Sequence, residues 1–108
     1  MTNSDVYLKA TMQLIARQTF APERLVDIVS SQKNAKTLRT FNLCDGTRTQ
    51  TEVAKASSTD PGLLSRTIGR WIDEGVIVRV NENGSEKPVH VYPIPEKLIP
   101  KVERAKNG

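Results

Sequence analysis

The sequence predicts one mostly helical α+β domain. Three observations carry this. Apolar residues recur at helical spacing in five successive segments, each bounded by capping residues, proline or glycine. A β-branched pair of runs near the end alternates like a hairpin. The 108 residues allow one domain, with a core that is adequate but not large.

Composition narrows the class. Hydrophobic residues make up 37% and charged residues 26% of the chain, the balance of a soluble globular protein. No apolar run approaches the roughly 20 residues of a membrane span. The N-terminus lacks the basic region and apolar core of a secretory leader. The single cysteine excludes an internal disulfide and suits a reducing compartment, so a cytoplasmic location is expected. The net charge of +4 permits a polyanionic partner without demanding one. Its distribution is uneven: Lys33, Lys36, Arg39 and Arg48 face only Asp45 over residues 31–48. No internal repeat or low-complexity block occurs.

Taken in order, Ser4-Asp5 starts a helix that runs to about Phe20. Leu8, Met12 and Ile15 form its stripe, widened by Tyr7 and Leu14, and Lys9, Gln13 and Arg17 mark the wet side. That apolar arc exceeds what packing on one small domain needs. Pro22 opens a second helix with Leu25, Val26, Ile28 and Val29 apolar. Ser31 is the expected cap of a third, with Ala35, Leu38, Phe41 and Leu43 inward, closed by Asp45-Gly46. Thr49 and Glu52 stand three apart as a capping box for a fourth helix, whose Val53 and Ala56 share a face. Ala56–Thr59 is turn material. Asp60 caps a fifth helix with Pro61 at its first position, and Gly75 ends it. Leu64, Ile68 and Trp71 give this helix one apolar stripe.

The opposite face of the fifth helix carries Leu63, Arg66, Thr67 and Arg70, flanked by Gly62 and Ser65. Arginine bonds guanine bidentately and threonine meets a base edge or a methyl group, so this face suits a DNA major groove. A solvated polar face on an ordinary amphipathic helix is the competing reading. Beyond this helix the chain is strand-like: Val76–Val80, then Asn81–Lys87 as a long tip, then Val89–Tyr92.

Helix, turn, helix and hairpin together resemble the winged helix-turn-helix family. The run LLSRTIGRWIDEGVIVRV resembles the recognition helix and first wing strand of MarR-type and ArsR-type regulators. Leu64, Ser65, Arg66, Ile68, Arg70, Trp71, Gly75, Val76 and Ile77 meet the pattern of those families. The resemblance covers roughly residues 32–94, and it implies a double-stranded DNA partner. It divides the chain into residues 1–31, a helical extension expected to dimerise; residues 32–94, the winged domain; and residues 95–108, a proline-broken tail. A homodimer would read two half-sites about 34–36 Å apart, as a dimeric repressor.

Arg66 and Arg70 are the first candidates for DNA contact, followed by Ser65, Thr67 and Leu63. Arg48, Thr49 and Gln50 lie at the positive end of the fourth helix, where a backbone phosphate can be held. Arg79 and Lys87 are the basic residues of the wing. The wing departs from the family habit, because Glu82 and Glu86 stand near its tip and would repel phosphate. Gly69 is a second departure, a glycine inside a helix. Cys44 is read as a small buried hydrophobe, with a sensing thiol as the less favoured reading. His90 has no Cys or His companion, so no metal ligand set and no cofactor is expected. No nucleophile–base pair or phosphate-cradling loop is present, and catalysis is not expected. Two alternatives to a sequence-specific regulator stay open: a protein-interaction module, and a non-specific duplex grip within a larger assembly. The sequence names no effector.

Overall fold

Five helices and one hairpin succeed one another along the described part of the chain. The computed structural model describes residues 3–19 and 21–100. Phe20, the expected end of the first helix, and residues 101–108 of the expected tail lie outside the described residues, as do the side chains of Ser4, Asp5, Arg17 and Glu82. The helices are α1 (Asn3–Thr19), α2 (Pro22–Val29), α3 (Ala35–Leu43), α4 (Gln50–Ser57) and α5 (Pro61–Asp73). Strands β1 (Ile77–Glu82) and β2 (Ser85–His90) pair antiparallel, and a single 3-10 turn spans Glu96–Leu98. The architecture is mostly helical α+β, consistent with a winged helix-turn-helix preceded by two extra helices.

One core joins α2 to the hairpin. Leu25, Val26 and Val29 of α2 meet Leu38 and Phe41 of α3, Val53 of α4, and Leu64, Ile68 and Trp71 of α5. Trp71 is fully buried, stands edge-on to Phe41 at 5.3 Å, and donates its indole N–H to the Val29 carbonyl at 3.1 Å. A large aromatic ring with its polar atom satisfied anchors the stripe of α5 and fixes which face turns outward.

The ends of the helices follow local chemistry. Thr49 and Glu52 form the capping box of α4. Asp60 accepts from the Leu63 amide and Pro61 opens α5. Gly75 takes φ +80° just beyond α5, which a Cβ would strain. The cap of α3 is a correction: Asn34, not Ser31, accepts from the Thr37 amide at 3.0 Å. Residues 31–34 are needed to reverse the chain after α2, and Lys33 enters the left-handed region at φ 55° to do so. In α4 the inward neighbour of Val53 is Ala54, while Ala56 is exposed.

The hairpin is tighter than its composition suggested. Strand pairing runs from Ile77↔His90 to Glu82↔Ser85, which leaves only Asn83 and Gly84 to turn the chain. Both have positive φ, 54° and 80°, as an Asn-Gly hairpin turn of the mirror-image type requires. Val91 and Tyr92 fall outside the strand and are buried beneath it.

Helix α1 turns inward a side whose polar residues were expected to be wet. Its body-facing side is Lys9, Met12, Gln13 and Ala16, of which Ala16 is buried. Lys9, placed on the wet side by its charge, donates to the Asp45 carbonyl at 3.1 Å. Tyr7, Leu8, Leu14 and Ile15 face outward, Tyr7 being 72% and Leu14 63% exposed. A lysine reaches a backbone carbonyl along its apolar stem, so a helix can turn this side inward while its apolar arc stays exposed.

Candidate nucleic-acid interface

The outward face of α5 is built by what its inward face anchors. With Leu64, Ile68 and Trp71 in the core, Leu63, Ser65, Arg66 and Arg70 are exposed and Thr67 is half-buried. The Arg66 side chain makes no hydrogen bond or ion pair to any of the described residues. A Cβ built on Gly62 would lie 3.8 Å from its Nη1, so the guanidinium lies over the first turn of α5. Thr67 donates its hydroxyl back to the Leu63 carbonyl at 3.0 Å. Leu63 is 50% exposed. No neighbour comes within 4 Å of a Cβ built on Gly69.

Arg70 is engaged elsewhere. Its Nη1 donates to the Ile28 carbonyl at 2.9 Å and its Nη2 to the Val29 carbonyl at 2.8 Å. The guanidinium therefore spans from α5 to the end of α2. The sequence did not signal this bond, because the two partners are about forty positions apart and carbonyls carry no sequence mark.

A second basic group gathers where the hairpin meets the start of α4. Arg79 donates to Gln50 Oε1 at 3.3 Å and pairs with Glu86 at 3.2 Å. Arg48 contacts the Leu43 carbonyl at 3.3 Å and Asp45 at 3.4 Å. Glu52 sits between them: the two hydrogen bonds from Thr49, with smaller help from the charges of Lys87 and Arg48, hold its carboxyl below the usual range. The structure thus brings Arg79 and Lys87 of the hairpin to the consecutive residues Arg48, Thr49 and Gln50, which are distant from them in the chain. It also supplies each visible cation of the group with a carboxylate nearby. The Thr49 and Glu52 amides are taken by the capping box itself. Lys36 donates to the Ser58 carbonyl at 2.9 Å and braces the turn between α4 and α5.

Two further side chains separate from the interface. Cys44 is fully buried, and burial pushes its thiol up to about 12, helped by Asp45 and opposed by Arg48. A thiol that stays protonated is a poor nucleophile, which removes the physical basis of a sensing role. His90 is buried and stacks on Phe41 at 5.5 Å, with its Nδ1 unpartnered. Among the described residues no group of three His, Cys, Asp or Glu side chains is placed to hold a metal ion. None of the described helices is long and apolar enough to cross a membrane.

A helix, a tight turn, an anchored second helix and a two-residue hairpin define the fold class. No protein-family model and no curated protein matches the chain. Among solved structures the chain is similar to the crystal structure of the predicted DNA-binding transcriptional regulator from E. coli. The two share 19% identity at a TM-score of 0.51, over 91% of this chain and 96% of that one. At this identity the likeness is one of fold.

Proposed function

We propose that the chain is a double-stranded DNA-binding transcriptional regulator of the winged helix-turn-helix type, MarR- or ArsR-like, with α5 in the major groove. The observation that carries this is Arg66: an arginine without a partner among the described residues, on the exposed face of a helix whose other face is locked into the core by Trp71. A rigid helix with an uncommitted guanidinium is what direct readout of guanine needs. The structural neighbour is itself described as a predicted DNA-binding regulator. Ser65, Thr67 and Leu63 flank Arg66 as further base contacts. Arg48, Thr49, Gln50, Arg79 and Lys87 are assigned to backbone phosphates on either side. In this reading residues 1–31 dimerise, residues 32–94 bind DNA and residues 95–108 form the tail. The protein acts in the cytoplasm as a dimeric repressor.

Titration of labelled duplex from the DNA flanking its own gene, against random competitor and over a salt series, tests the reading. Specific binding should exceed random binding by orders of magnitude and weaken with salt. Arg66→Ala should lose about 1–3 kcal/mol of discrimination at one base pair while its circular dichroism stays unchanged. An unaltered specificity in the folded variant sinks the assignment of α5 as the reading helix.

A second reading, a protein-interaction module, has one observation in its favour. The wing's Arg79 is neutralised by Glu86, and Arg48 by Asp45. Absence of any salt-dependent duplex binding in the wild-type protein would select it.

A further inference from the structure

Helix α2 ends without a cap of its own making. Its last turn holds no basic residue, and only the Val26 carbonyl is met locally, by the Ser30 amide. The final carbonyls of a helix otherwise need partners from outside. Here they come from α5: the two Arg70 nitrogens on the Ile28 and Val29 carbonyls, and the Trp71 indole on Val29 as well. The guanidinium also places a full positive charge at the negative end of the α2 dipole. A planar fork reaches the two carbonyls from two separate nitrogens held in fixed geometry; an ammonium has three donors on one nitrogen, a compact point charge without that fixed geometry.

We propose that Arg70 is a positioning residue of the reading helix. It clamps α5 to the end of α2, so that the pitch of the outward face of α5 follows the placement of the N-terminal helices. The proposal rests on the regulator reading. It gives Arg70 a task distinct from base contact, at a charge-assisted junction with the end of α2 one residue from the core tryptophan.

The test uses the full chain, its duplex and the variants Arg70→Ala and Arg70→Lys. Trp71 is the single tryptophan, so its emission reports on this junction. Arg70→Ala removes both charge-assisted hydrogen bonds and should weaken binding to every duplex by the same factor, roughly tenfold or more. The salt slope and the order of base preference should stay as in the wild type, and Trp71 emission should move to longer wavelength. Arg70→Lys keeps the charge and loses the fork, so it should recover only part of the wild-type affinity. A relaxed preference at one base pair with unchanged emission would make Arg70 a base reader and overturn the proposal. A salt slope lower by about one, restored by Arg70→Lys, would make it a phosphate contact and overturn it too. So would wild-type affinity and emission in both variants. If Arg70→Ala does not fold, Arg70→Lys decides alone, since a phosphate contact survives that change and a fork does not. A wild-type protein with no duplex affinity overturns the regulator reading itself, a result separable from any of these.

Discussion

Two buried side chains set the behaviour of single residues. Trp71 fills the centre of the core, and its removal leaves a cavity and takes one donor from the Val29 carbonyl. Trp71→Ala should cost about 3–5 kcal/mol, read as a lowered midpoint of chemical denaturation; a midpoint that barely moves would place the stripe of α5 outside the core. His90 behaves differently. Burial, with the nearby Lys9 charge, holds its imidazole below the usual value, against the raising influence of Asp45 and of nearby backbone hydrogen bonds. The unfolded chain therefore takes up a proton near the ordinary value of 6.5 while the folded chain does not. Stability is full above that value and is lost as pH falls through the lower folded value. Denaturation midpoints should fall as pH drops below the ordinary value of 6.5, and His90→Gln should flatten that slope. The Asp45 carboxyl works in a lower window. Partial burial pushes it up, but the Thr47 hydrogen bonds and Arg48 outweigh that and leave it lowered. Its contribution goes only below the ordinary 3.8. The His90 environment was not legible beforehand, since His90, Cys44 and Lys9 meet only when α1 and β2 close on the same loop.

At the scale of elements, the helix ends were legible wherever one short segment contains both partners. The capping box of α4 and the Asp60-Pro61 start of α5 are of this kind. The hairpin tip was misjudged because seven polar residues look like turn material by composition. Cross-strand pairing absorbs all but Asn83 and Gly84, and only those two need positive φ. Gly69 carries a definite expectation. Open space surrounds its missing Cβ, so Gly69→Ala should raise stability by about 0.5–1 kcal/mol through helix propensity. If the face of α5 lies against DNA, the same methyl should weaken duplex binding. A stabilised variant with unchanged binding would take Gly69 out of the contact surface.

At the scale of the whole molecule, the described residues leave the apolar arc of α1 exposed. Tyr7, Leu8 and Leu14 stand on it, each more than half exposed. Contiguous apolar surface of this kind marks an interface, and a second copy is the occupant proposed here. Sedimentation equilibrium should find a dimer at micromolar concentration. Tyr7→Glu with Leu14→Glu should yield a folded monomer, since neither side chain enters the core. A wild-type monomer ends the dimer proposal, and a dimer that survives the double substitution moves the interface off α1.

What the sequence alone determined was local: the number, order and approximate bounds of the helices, the stripe Leu64–Ile68–Trp71, and the outward placement of Arg66. Each rests on residues within a few positions of one another, where backbone geometry dictates which side chains share a face. What the tertiary structure decided was the partner of those long polar side chains that reach across the fold, Lys9, Lys36, Arg39, Arg70 and Arg79. Arg70 and Arg66 are four residues apart on one helix and chemically identical. One is tied to α2 and the other is not, because the end of α2 passes beside only one of them. The facing of α1 was decided the same way. Its charge placed Lys9 on the wet side, yet Lys9 and Ala16 are the side chains that meet the surface formed by the rest of the chain. Burial needs a complementary surface, and that surface exists only once distant segments have packed.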